Sequence, residues 1–176
     1  MLNIFEIDQN LSRLCQDITK IADTLIFQEI CELSDELTVA QQNYAGIYKI
    51  DIHVSENHPT FKSWASWFKD EWMQPAYKRK FVPNPKKKRL AAHTELSEWV
   101  PLYLGKSKKI AQRVWEHMNL KLDQPTTAMK LKHRSNMADQ RFRLSTIRVD
   151  VKNYNIIMPY LENIFREKYN PILGRQ

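Results

Sequence analysis

Glycine scarcity limits this chain more than any other feature: only Gly46, Gly105 and Gly174 occur in 176 residues, where average usage gives roughly 12. A chain so poor in the residue that tolerates positive φ has few places for tight turns or for backbone to approach backbone closely. The glycines that remain therefore mark structure. Gly46 opens Gly46-Ile47-Tyr48-Lys49-Ile50-Asp51-Ile52-His53-Val54, where apolar and polar residues alternate as in a strand. Gly105 closes Trp99-Val100-Pro101-Leu102-Tyr103-Leu104, a second short strand whose proline suits an edge. Just beyond it, Ser107 is a candidate N-cap for a helix running to Asn119 or Leu120. Residues 142–151 alternate again and predict a third strand. A last helix is expected over 157–168, with Pro159 in its first turn and Asn170-Pro171 ending it.

The other segments read as helices or loops. Leu11, Leu14, Ile18, Ile21 and Leu25 recur at helical spacing and predict an amphipathic helix over about 9–34, continuous or broken once. Packing on the core is its expected role; a homodimer seam or an acidic element shielding a basic body are the alternatives. Phe61, Trp64, Trp67, Phe68 and Trp72 form an aromatic stripe on a second helix, and 128–137 predicts another. The expected fold is α+β: a small three-stranded antiparallel sheet flanked by helices. An acidic N-terminal helical extension (1–43) would precede a domain over 44–176 that carries an insertion at about 55–99.

Composition narrows the function. Hydrophobic residues at 43% and aromatics at 11% exclude a disordered chain. No apolar run is long enough for a membrane helix. Cys15 and Cys31 cannot by themselves build a zinc site or a disulfide framework, and placed on one helix they cannot pair; a cytoplasmic setting is expected. The formal net charge of +7 is unevenly spread: residues 1–43 hold two basic and eight acidic residues, and 44–176 hold 25 basic and 12 acidic. A body of net +13 calls for a polyanionic partner, nucleic acid ahead of an anionic membrane surface.

Three local patterns could carry chemistry. Lys106, Lys108 and Lys109 crowd the start of the helix after Gly105, where cations oppose the helix dipole and a phosphate would reverse the sign; a tolerated surface cluster is the plainer alternative. Arg113 and His117 lie four apart and project from one helical face beside the apolar stripe of Ile110, Val114 and Met118. Glu162 falls early in the last helix, either as a carboxylate favoured by the dipole or as an oxygen ligand for Mg²⁺.

Taken together, these residues resemble a known family. Gly46-Ile47-Tyr48 and Tyr103-Leu104-Gly105 are similar to the two halves of the GIY-YIG nuclease motif, with Leu in place of the second Ile. Arg113, His117, Glu162 and the Asn170-Pro171 pair follow in the family's order, over 46–54 and 100–174. The resemblance implies hydrolysis of DNA phosphodiester bonds with one Mg²⁺ or Mn²⁺ per site, RNA staying open as a substrate. By resemblance, Tyr48 would accept a proton, Tyr103 would orient the water or a phosphate oxygen, and Arg113 would hold the scissile phosphate. His117 would bond Tyr48 or the phosphate, Glu162 would fix the metal, and Asn170 would order the site. Lys106, Lys108 and Lys109 would attract phosphate, while Gly46 and Gly105 would leave room near Tyr48 and near the phosphate.

The departure from the family is the spacing, since 54 residues separate Tyr48 from Tyr103 where compact members have a short link. The insertion carries Lys78, Arg79 and Lys80, then Lys86, Lys87, Lys88 and Arg89, all expected on a solvated loop as contacts to the DNA backbone. A stand-alone restriction-like or phage-defence nuclease is the expected role. A structure-selective repair nuclease, and a non-catalytic nucleic-acid-binding protein that keeps the fold, are the alternatives.

Overall fold

The structure, a computed structural model, describes residues 3–55 and 57–174. Its centre is a four-stranded antiparallel sheet: β1 (Gln28–Glu32), β2 (Gly46–His53), β3 (Trp99–Ser107) and β4 (Phe142–Arg148), in the order β1-β4-β2-β3. Helices α1 (Ile4–Thr24), α2 (Glu36–Ala40), α3 (Phe61–Trp72), α4 (Lys87–Ala91), α5 (Ile110–Asn119) and α6 (Tyr154–Tyr169) surround it. The α+β class is as expected; the strand count is four rather than three.

The additional strand corrects the N-terminal helix. α1 starts at an Asn3–Glu6 capping box and stops at Leu25, whose backbone turns extended. Ile-Phe at 26–27 favours extended backbone, and the open edge of β4 offers a ladder that helix continuation would leave unpaired. Cys15 and Cys31 consequently lie on different elements, α1 and β1. Glu29 and Glu32 pair with Arg143 and Arg141 across the β1–β4 seam. Part of the acidic first segment thus belongs to the sheet and neutralises basic residues of the body. Only one stretch of α1 packs inward, through Ala22 with Ile18 and Leu25, while Leu11, Leu14 and Ile21 are exposed.

Both faces of the sheet are covered. On one face Tyr48, Ile50 and Ile52 pack with Trp64, Phe68 and Trp72 of α3 and with Ile110, Val114 and Met118 of α5. On the other, Ile47, Leu104 and Ile147 meet Met158, Leu161 and Phe165 of α6. The alternation along β2 is therefore between two cores, and all its residues except His53 are buried. The aromatic stripe is a core face as expected, with Trp67 only partly buried.

Three boundaries differ from expectation. The helix expected at 128–137 is instead two 3₁₀ turns, Leu131–His133 and Ser135–Met137, with Lys130 at φ 61° between irregular backbone and the first turn. Two long side chains fold back to hold this irregular backbone: Lys130 Nζ donates to Leu122 O and Gln124 O, and Arg134 Nε takes the Met129 carbonyl that a helical ladder would use. α5 begins at Ile110 because β3 continues through Ser107, whose hydroxyl accepts from the Lys109 N–H rather than capping the helix. α6 begins at Tyr154, since the Asn153 carbonyl already accepts from the Ile156 and Ile157 N–H groups, and this puts Pro159 in the second turn.

Gly46 serves the sheet rather than Tyr48. It sits between Ser107 of β3 and Arg148 of β4, and a Cβ there would lie 2.1 Å from the Ile147 carbonyl oxygen. Backbone cannot yield as a flexible side chain can. Gly46→Ala should therefore lower unfolding free energy by about 2 kcal/mol or more, read as a fall in the urea midpoint at unchanged m-value. An unaltered midpoint would contradict the close approach.

Candidate active site

Tyr48 is placed by pairing and by a missing side chain. Register sets it directly opposite Gly105 on β3, with Tyr103 two residues along the same face. A Cβ on Gly105 would meet the Tyr48 hydroxyl at 2.6 Å and Cζ at 2.9 Å. Gly105 thus gives the Tyr48 ring its space, and its place is inside β3 rather than in a strand-to-helix turn. The Tyr48 and Tyr103 rings lie nearly parallel, centroids 6.2 Å apart, and the Tyr103 ring is 4.4 Å from that of His117.

His117 is fully buried and bonded at both ring nitrogens. Its Nδ1 accepts from the Met129 backbone N–H at 3.2 Å, and its Nε2 is 2.9 Å from the Tyr48 hydroxyl. An accepting Nδ1 carries no proton, so in the neutral ring Nε2 is the N–H and donates to Tyr48. Burial, with Arg113 nearby, holds the His117 pKa well below its usual value, so the ring stays neutral. Tyr48 is pushed well above the ordinary phenol, first by burial and then by Tyr103, with Arg113 opposing. In the resting chain it is a neutral hydroxyl that accepts one hydrogen bond from His117.

The Met129 N–H is itself held in place. Arg134, 1% exposed, stacks on Trp72 with its guanidinium carbon 3.8 Å from the ring centroid. It donates to Met129 O at 3.1 Å, to Trp72 O at 3.2 Å and to Tyr77 O at 3.4 Å. Burial lowers its pKa to about 10. A continuous chain of contacts therefore runs from α3 in the insertion, through Arg134 and Met129, to His117 and Tyr48.

Tyr48, Tyr103, Gly105, Lys106, Arg113 and Glu162 line one cleft of about 300 Å³, with Thr127 and Arg166. Arg113 donates to Glu116 and, at 2.5 Å, to Thr127 O. Although burial works against its charge, Tyr48 and Glu116 raise its pKa, so it is a permanent cation here. Glu162, its side chain 14% exposed, accepts from Arg166 Nη2 at 2.8 Å. Burial raises its pKa, opposed by Arg166 and Lys106. Among the described residues no group of three or more His, Cys, Asp or Glu side chains gathers as a metal centre. A lone carboxylate at a polar cleft fits a hard cation that keeps most of its waters and takes its remaining ligands from a substrate phosphate. Arg166 must then share Glu162 or release it.

The other residues expected from the sequence divide. Lys106 lines the cleft, Lys108 does not, and the ammonium groups of both lie over the Tyr154 ring, 5.8 and 5.4 Å from its centroid; Lys109 is exposed at the start of α5. Lys78, Arg79 and Lys80 are exposed on the turn after α3 and do not line the cleft. Asn170 does not line it either: at φ 47° it caps α6, its side chain accepts from Arg89, and its carbonyl bonds His93. The run at 86–89 is not wholly a loop, since 87–91 form α4. Arg166 and Arg134 are contributed by the fold alone. The Glu162–Arg166 spacing of four is visible in the sequence, but nothing there marks Arg134.

No family model, curated protein or solved structure matches the chain. Among the described residues no helix is long and apolar enough to cross a membrane.

A neutral buried His117 makes stability depend on pH. Its folded pKa is depressed, so below about pH 6.5 the unfolded chain binds a proton that the folded chain refuses, and stability falls by up to about 1.4 kcal/mol per pH unit. The contribution is fully present above the unfolded pKa. Urea midpoints of the wild type should drop more steeply than those of His117→Gln between pH 7 and pH 5.5; parallel curves would contradict the neutral ring.

Proposed function

We propose that this chain is a metal-dependent DNA endonuclease of the GIY-YIG type. The observation that supports it is the meeting of Tyr48, Tyr103, Lys106, Arg113 and Glu162 in one cleft, from strands and helices far apart in the chain. Each of them also has a neutral structural explanation, but ordinary packing does not require two tyrosines, two cations and a carboxylate to share a polar depression.

Phosphodiester hydrolysis asks for a deprotonated water, charge stabilisation on phosphorus-bound oxygens and a stable leaving oxyanion. Lys106 and Arg113 attract the phosphate, and the planar Arg113 fork, already steadied by Glu116 and Thr127, presents its remaining N–H groups to the developing charge. Tyr48 accepts one bond from His117; its second lone pair takes the proton of the attacking water while its own proton passes to a phosphate oxygen. The phenol thus relays a proton without becoming a free phenolate, which its burial disfavours. The Tyr103 hydroxyl orients the water or the phosphate. Glu162 would hold one Mg²⁺ or Mn²⁺, which when bound supplies Lewis-acid charge for the leaving 3′ oxygen. A stand-alone restriction-like or defence role is the biological setting we propose, and the basic 44–176 body supports DNA as the substrate.

Supercoiled plasmid incubated with the protein and Mg²⁺ or Mn²⁺ should be nicked. EDTA should abolish the reaction, and Glu162→Ala should slow it about 10²-fold or more. Absence of metal-dependent nicking, or nicking that survives the substitution, would overturn the enzyme reading.

A further inference from the structure

The run Lys86-Lys87-Lys88-Arg89 is uniform in sequence but not in the fold. Arg89 is committed to structure: it donates to Arg166 O at 2.6 Å, to Asn170 Oδ1 at 3.0 Å and to Glu167 at 2.6 Å. The Lys86 N–H donates to Ile172 O at 2.9 Å, and Pro85 bridges Leu173. These bonds fasten the second half of the insertion to the end of α6, immediately beside the cleft.

The fastening builds a second depression of about 220 Å³, whose wall holds Lys86, Lys88, Asn163 and Arg166 together with the Arg89–Glu167 ion pair. Arg166 also lines the cleft of Tyr48 and Glu162, so the two depressions adjoin at one residue, whose Nη2 bonds Glu162 and whose carbonyl accepts from Arg89. Among the described residues, no carboxylate pairs with the Lys86 ammonium, and the one facing Lys88 is 3.9 Å away and already bonded to Arg89. Lys87 is exposed outside this wall. With Glu167 bonded to Arg89 and Arg166 shared with Glu162, two lysines and the Asn163 amide form a surface that recognises an anion through charge and donated hydrogen bonds.

We infer that this depression is a second phosphate subsite. It takes a phosphodiester of the same DNA strand, next to the one being cut, and Arg166 stands between the two phosphates. The inference rests on the nuclease reading and adds to it a task for the insertion: Lys86 and Lys88 hold the strand, while Arg89 holds the insertion. Phosphate recognition of this kind positions the strand and carries no sequence information.

The test is fluorescence anisotropy of a labelled duplex, titrated with the full chain in EDTA over a range of salt. Lys86→Gln/Lys88→Gln should weaken binding about tenfold and lower the slope of log affinity against log salt by about 0.9 for each phosphate that is no longer neutralised. Lys86→Arg/Lys88→Arg should restore both, and melting curves should match the wild type in each case. An unchanged slope, or arginine variants as weak as the glutamine ones, would overturn the subsite. A wild type that nicks plasmid while the glutamine variants bind as it does would overturn the subsite alone. A wild type that neither nicks nor binds DNA would overturn the nuclease reading and the subsite together.

Discussion

One backbone hydrogen bond, from the Met129 N–H to His117 Nδ1, decides which proton the cleft can offer. It leaves Nε2 as the protonated nitrogen and turns His117 into a donor toward Tyr48. A histidine able to take the Tyr48 proton would need the opposite tautomer, and then two N–H groups would face each other in a buried place. For the proposed reaction this favours a relay through a neutral tyrosine over a histidine base. That selection depends on the irregular segment between α5 and β4, which two buried cations hold in shape: Lys130 on the Leu122 and Gln124 carbonyls and Arg134 on those of Met129, Trp72 and Tyr77. Truncating Arg134 would strand the buried carbonyls of Met129 and Trp72, where an unmade bond costs about 1–3 kcal/mol each.

The segment between β2 and β3 braces the cleft. Its aromatic helix α3 fills the core beneath β2 and β3 and supplies the Trp72 carbonyl and ring that hold Arg134. Its later part is pinned to α6 through Arg89. It connects the two tyrosine strands in sequence and also supports them in space. Gly46 and Gly105 divide the remaining work, the first letting β4 approach β2 and the second clearing the volume that Tyr48 occupies.

The sheet centre and most of the cleft are legible in the sequence because both rest on short-range patterns. Alternation along 46–54 and 142–151 marks β2 and β4, although β4 stops at Arg148 rather than Val151, and the spacing of Arg113 from His117 survives folding unchanged. β1 is hidden because Leu25 and Ile30 extend the helical periodicity of α1 without a glycine or proline between them; only pairing with β4 settles the matter. The segment 128–137 reads as a helix because Lys130 and Arg134 look like its solvent-facing residues, whereas both are buried, at 0% and 1% exposure. The positions of Asn170 and Arg89 suggest the site for one and DNA for the other, but the two side chains bond each other. A tertiary hydrogen bond between residues 81 apart has no local signature.

In the proposed relay the Tyr48 hydroxyl has a chemical role beyond filling the core, and Tyr48→Phe removes that hydroxyl while keeping the ring. Nicking rates should be measured for this variant and the wild type at equal DNA occupancy in Mg²⁺. A fall of about 10²-fold or more, with duplex affinity retained, is the predicted result. A variant that nicks at the wild-type rate would contradict the relay.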